Sequence, residues 1–224
     1  MYPVFAFIFF ATILIGLAVL VIRLHFTTFW ITHRRRFLAF LALWFIPYSV
    51  FILFFTGPEN LQEYPPAVSS PYKLPWKEGV TRFVAQGNRS FTSHRAEHTY
   101  AWDFVMPNGT EILAARDGTV VEVLDSADGI GLVSNFISIE HEDGTRATYA
   151  HIQKDGARIN VGDSVRQGQP IALSGMVGQT IFPHVHFYVV DKNGLAVPVS
   201  FRDVEEDGVP LAGHTYTSQN HEAR

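Results

Sequence analysis

Two long apolar stretches open the chain, and everything after them is shorter and more broken. Residues 4–22 and 37–56 carry no charged side chain. Each is about 20 residues long, enough for a helix to cross a hydrocarbon layer of roughly 30 Å. They are read as two transmembrane helices that make residues 1–56 a membrane anchor. From about Val80 the pattern changes to brief apolar runs punctuated by glycine. Glu111-Ile112-Leu113-Ala114-Ala115 and Gly118-Thr119-Val120-Val121-Glu122-Val123 read as consecutive strands. Phe136 to His141 and Thr145 to His151 flank Glu142-Asp143-Gly144, and Asp-Gly between alternating segments is a strong hairpin signal. Val161 to Ile171 add turns around two more strand pieces, and no amphipathic helical period occurs in this region. The pattern predicts a mainly β domain over residues 80–201, a compact antiparallel β-sandwich or barrel-like sheet. Residues 57–79, rich in Pro, Ser, Glu and Tyr, read as a linker. Residues 202–224 read as a loose polar tail.

Charge gives the anchor a direction. The connection between the apolar stretches holds Arg23, Arg34, Arg35 and Arg36 and no acidic residue, whereas Glu59 and Glu63 follow the second. Basic loops stay on the cytoplasmic side, so both ends are expected outside, with the β domain in the periplasm or an equivalent extracytoplasmic space. Met1-Tyr2-Pro3 offers no basic start and Arg23-Leu24-His25 no small-residue cleavage site, so retained spans in the inner or cytoplasmic membrane are expected rather than a removed signal. From Gly57 onward the net charge is −8, a poor match for a phosphate backbone, and nucleic acid is excluded as a partner. With no cysteine in the chain, neither disulfides nor thiolate ligands are available. A metal here must be held by histidine and carboxylate.

The chemistry concentrates in the β domain. Six of the ten histidines fall between positions 94 and 186. In Pro183-His184-Val185-His186-Phe187-Tyr188-Val189-Val190, strand alternation sends both imidazoles to one face. One can then bind a metal while the other handles protons. Alternation likewise turns Asp103 away from Tyr100, Trp102 and Phe104. A carboxylate within an apolar strand needs a partner or a metal to offset its desolvation.

Several motifs follow one another in a fixed order: Ser93-His94, Tyr100-Ala101-Trp102-Asp103-Phe104-Val105-Met106-Pro107-Asn108-Gly109-Thr110, Ala114-Ala115-Arg116-Asp117-Gly118, Ile139-Glu140-His141, Tyr149-Ala150-His151-Ile152, Val165 to Ile171, and Pro183-His184-Val185-His186-Phe187. This series resembles the lysostaphin/LytM-type zinc metallopeptidases, which cleave peptide cross-links of bacterial walls, over roughly residues 72–201. The resemblance implies one Zn2+ per chain held by His94, Asp103 and His186, with His151 and His184 as catalytic histidines that do not bind it. Two nitrogens and one oxygen leave a fourth position open, as a catalytic zinc site requires. His98 is closer to Asp103 in sequence and competes with His94 as ligand; the Ser-His pair favours His94. His141 is read as a strand residue or a support for a ligand, and Asp117 and Asp143, each before Gly, as turn residues. The chain departs from the usual pattern at Phe182, where a small residue is common, at Tyr188, where an acid is frequent, and at Val177, where Thr is usual.

The function implied is a membrane-anchored zinc endopeptidase acting on stem or cross-bridge peptides of peptidoglycan. The lipid bilayer is one partner, and a membrane or wall-hydrolase protein a further one. The alternative is a non-catalytic LytM-like module that binds and activates another wall hydrolase. A carrier domain of the lipoyl type is disfavoured, because the turn Ser174-Gly175-Met176-Val177-Gly178 lacks the lysine to be modified.

Overall fold

The strand His184–Val190 shows how the sequence builds the domain. Val185, Phe187 and Val189 are at most 1% exposed and join the apolar core, while His184, His186 and Tyr188 project from the other face. One alternating run therefore supplies core and site together.

The computed structural model describes residues 61–221 continuously and a few positions between 14 and 49. The chain divides into two units, residues 1–53 and 54–224. In the first, the expected spans at 4–22 and 37–56 lie for most of their length outside the described residues. Among the described residues no helix is long and apolar enough to cross a membrane.

In the second unit, the strands are β1 (Thr81–Gln86), β2 (Trp102–Val105), β3 (Glu111–Leu113), β4 (Gly118–Leu124), β5 (Phe136–Glu140), β6 (Arg146–Ala150), β7 (Ile152–Ala157), β8 (Ser164–Val165), β9 (Pro170–Ser174), β10 (His184–Val190) and β11 (Thr215–Thr217). Eight of them form one sheet in the order β11-β1-β2-β10-β6-β5-β4-β8, and β3-β9-β7 form a second. Every strand pairing is antiparallel. The expected mainly β, antiparallel class is thus the observed one. The hairpin around Asp143-Gly144 joins β5 to β6, with Gly144 at φ 76°, a conformation that favours glycine. The core draws on both sheets: Trp102, Phe104 and Phe187 from the larger, Ile112, Ile152 and Ile171 from the smaller.

Two segments differ from expectation. Much of the stretch read as a linker is part of the domain: Tyr72, Leu74 and Trp76 are at most 3% exposed. Their spacing of two is itself a strand-like alternation. The backbone amides of Lys73 and Leu113 donate to Ala115 and Pro75, seating the segment beside β3. The tail is not loose either. Val204, Val209 and Ala212 are buried, and β11 pairs with β1. Buried Asp203 accepts from the amides of Leu74 and Gln219, and the Asn220 amide side chain donates to the carbonyls of Leu74 and Ala114. Its polar residues are there to satisfy buried backbone groups of the neighbouring segment, which composition alone reads as solvent exposure.

Candidate metal centre

β10 lies between β2 and β6, and its register places His186 directly opposite Asp103 on one side and Ala150 on the other. Cross-strand neighbours on one face are close enough to touch, and His186 Nδ1 stands 2.8 Å from Asp103 Oδ1. The loop between β1 and β2 brings His94 over the same oxygen, with Nε2 at 3.3 Å. His184, one alternation from His186, has Nε2 at 3.4 Å. His151 follows the end of β6 with φ 64°, a left-handed turn. Its ring centre lies 4.6 Å from that of His184.

Donor atoms of His94, Asp103 and His186 all lie within 4.8 Å of one another, as do those of His151, His184 and His186. All five residues are buried. The structure therefore brings together every residue that the sequence singled out for the site. His186 belongs to both groups.

Three rings are tied to the backbone in the same way. His94 Nδ1 donates to the Gly87 carbonyl at 2.6 Å, His151 Nδ1 to Val177 at 2.8 Å and His184 Nδ1 to Phe182 at 2.9 Å. Such bonds fix the tautomer and leave each Nε2 as a lone pair directed inward. At His94 and His184 that lone pair faces a carboxylate oxygen, acceptor against acceptor. A cation between them relieves this conflict. The donor set, two imidazole nitrogens and one carboxylate oxygen with a half-enclosed groove alongside, fits zinc.

The titration behaviour has the same origin. Burial alone would raise the Asp103 carboxyl, but contacts from His184, His186 and His94 hold it well below the usual carboxylate range. Burial pushes both His151 and His186 down to about 4. For His184 burial acts in the same direction, yet the Asp103 carboxylate outweighs it and the net shift is upward.

A groove of ≈ 890 Å³ opens over these side chains. Leu132, Val133, Ile181 and Phe182 line it, and Leu132 and Ile181 are 87% and 83% exposed. The departures from the family pattern find places here. The Phe182 ring packs at 4.6 Å from His184 and is one of the residues that line the groove. Val177 keeps its bond to His151 because the carbonyl, not the side chain, makes it. Tyr188 packs edge-on against His98 at 4.4 Å.

His98 is not in either donor group. Its Nδ1 meets His186 Nε2 at 3.0 Å, on the side of the ring remote from Asp103. His141 donates instead to the Asp117 carbonyl and packs against Tyr72, away from the cluster. Asp143 accepts from Thr145 within its turn and from Arg116 of the segment before β4. The carbonyl tethers and the His98 contact are what sequence reasoning missed. A backbone acceptor carries no residue signature, and His98 drew attention only as a rival ligand.

An antiparallel β domain with a buried histidine and carboxylate cluster at the floor of a groove defines the class: a β domain with a candidate metal site. Residues 97–198 match the family model described as Peptidase family M23, and this stretch fits the lysostaphin/LytM-type metallopeptidases, whose peptidases depend on zinc. Among similar proteins is an uncharacterized metalloprotease from Haemophilus influenzae, 36% identical over 95 residues, 42% of this chain and 19% of that protein. Glycyl-glycine endopeptidase ALE-1 from Staphylococcus capitis is 33% identical over 122 residues, 54% of this chain and 32% of the relative. The murein hydrolase activator EnvC from Escherichia coli is 40% identical over 81 residues, covering 36% and 18%. The chain thus spans about a fifth to a third of the length of the first curated relatives it matches.

Proposed function

We propose that the chain is a membrane-anchored zinc endopeptidase that hydrolyses peptide bonds in peptidoglycan stems or cross-bridges on the extracytoplasmic side. The observation that carries the reading is the convergence of imidazole lone pairs on the buried Asp103 carboxylate at the floor of a peptide-sized groove. Family membership supports the peptidase activity, and the uncharged stretches at 4–22 and 37–56 with their arginine-rich connection support the location.

In this reading His94, Asp103 and His186 hold the metal. Zinc, when bound, supplies Lewis acidity toward a carbonyl and lowers the pKa of water. The chain's own residues do the rest. Asp103 offsets the charge, and the carbonyl tethers keep His94 oriented without reorganisation. His151 and His184 line the groove, where one accepts the proton of the attacking water and the other stabilises the oxyanion or protonates the leaving amine. Among the described residues no glutamate lines the groove, and His151 and His184 are the lining imidazoles that neither hold the metal in this reading nor support a ligand. The groove's apolar rim favours the uncharged parts of the peptide.

The test is amine release from purified peptidoglycan by the full chain. Activity should vanish with a strong chelator and return with zinc. His151→Ala should lower turnover by about 10²–10⁴-fold, the usual contribution of a positioned general acid or base. Unchanged turnover in that variant removes His151 from the chemistry.

The EnvC relative supports a second reading, an activator of a separate wall hydrolase. It is favoured if the chain releases no amines yet stimulates an amidase added to the same sacculi.

A further inference from the structure

We infer that His98 is a positioning residue for His186, orienting the imidazole that both donor groups share; this rests on the metal-site reading above. His98 sits at the end of the 3₁₀ turn Ala96–His98, in the segment between β1 and β2. Thr99 closes that turn through Oγ1 to the Ala96 carbonyl at 2.7 Å. The turn delivers His98 Nδ1 to 3.0 Å from His186 Nε2. Tyr188, two residues along β10 from His186, holds the other face of the arrangement: its ring centre is 4.4 Å from His98 and 5.5 Å from His186.

Proton accounting sets the direction of the contact. His186 turns Nδ1 to Asp103 Oδ1 at 2.8 Å, on the side where a cation is held. An imidazole that gives its Nδ1 lone pair to a metal carries its proton on Nε2. That Nε2–H needs an acceptor, and His98 Nδ1 is the atom placed to accept. The remaining proton of His98 then lies on its own Nε2, which faces Glu97 Oε1 at 3.6 Å. Glu97 thus lies within ion-pair reach of His98, behind the His98 contact to His186. Outer hydrogen-bond partners of metal-bound histidines fix ring orientation and raise ligand basicity. The other three histidines of the site use backbone carbonyls for this purpose. For His186 Nε2 the partner is a side chain, so this support can be removed by substitution.

The experiment measures zinc affinity of the full chain by competition with a chromophoric chelator for wild type, His98→Ala, His98→Asn and His186→Ala. Asparagine is the conservative variant, since its carbonyl oxygen accepts from about the position of Nδ1. His98→Ala should weaken zinc by about 10–100-fold while His98→Asn keeps most of the affinity. The ligand-field spectrum of the cobalt-loaded protein should shift in the alanine variant and recover in the asparagine variant. Unchanged affinity in His98→Ala overturns the inference, as does equal weakening in both variants, which would mark a packing role. Loss as complete as in His186→Ala would make His98 a ligand itself and also overturn it. If wild type holds no zinc, or His186→Ala holds it normally, the metal-site reading fails and the inference fails with it. Unchanged affinity in His98→Ala against a zinc-binding wild type therefore overturns the inference while leaving the metal-site reading standing, which separates the two failures.

Discussion

Zinc should be lost from His94→Ala and from His186→Ala and kept by His151→Ala. The two groups of donors share His186 but differ in their other members, so the three variants distinguish them. If the cation is held by His94, Asp103 and His186, removing His94 takes away one of three protein ligands and leaves the Asp103 carboxylate facing a gap. If it were held by His151, His184 and His186, the loss would fall on His151→Ala instead. Charge favours the first group: it contains the anion that offsets a divalent cation, and a cation placed there relieves the conflict between Nε2 lone pairs and Asp103 Oδ1. Metal analysis of the purified chains checks this directly. Hydrolysis should fall by at least about 10³-fold in His94→Ala and His186→Ala, because metal polarisation supplies several kcal/mol of transition-state stabilisation. Stoichiometric zinc in His94→Ala together with its absence from His151→Ala would move the centre to the second group.

Deleting residues 202–224 should abolish cooperative unfolding of the domain. The deletion removes buried Val204, Val209 and Ala212, the strand paired with β1, and the Asp203 carboxylate that accepts the Leu74 amide. It also strips the Trp102 indole N–H of its acceptor, the Pro210 carbonyl at 2.9 Å. Each buried polar group left unpaired costs about 1–3 kcal/mol, set against a total of roughly 5–15 kcal/mol for a domain of this kind. Thermal melting followed by circular dichroism tests the point. A sigmoidal transition within about 5 °C of the full chain would show that the tail contributes little.

The strands and the part of the site formed by His184, His186 and Asp103 were legible because alternation is local, whereas His94 and His151 followed from the resemblance of the ordered motifs. His184-Val185-His186 states its own geometry, and Asp103 stands out as the polar member between Trp102 and Phe104. What joins distant segments was not legible. The polar tail residues Asp203 and Asn220 read as solvent-facing until their acceptors and donors at Leu74 and Ala114 are known. Tyr72, Leu74 and Trp76 carry a strand-like spacing, yet the surrounding prolines suggested a connector. His98 is the sharpest case. Counting positions from Asp103 made it a rival ligand, whereas its ring meets the opposite nitrogen of His186.

The alternation of β10 also sets where this protein is free to change. One inserted residue before His186 would exchange the two faces of the strand, driving imidazoles into oil and valines into the cleft. Evolution therefore has little latitude on that strand. At the mouth the side chains of Leu132 and Ile181 carry no such constraint and can be traded while the floor stays fixed, provided that the backbone around Ile181 keeps the Val177 and Phe182 carbonyls on His151 and His184. Relatives that prefer different wall chemistries are expected to diverge there first.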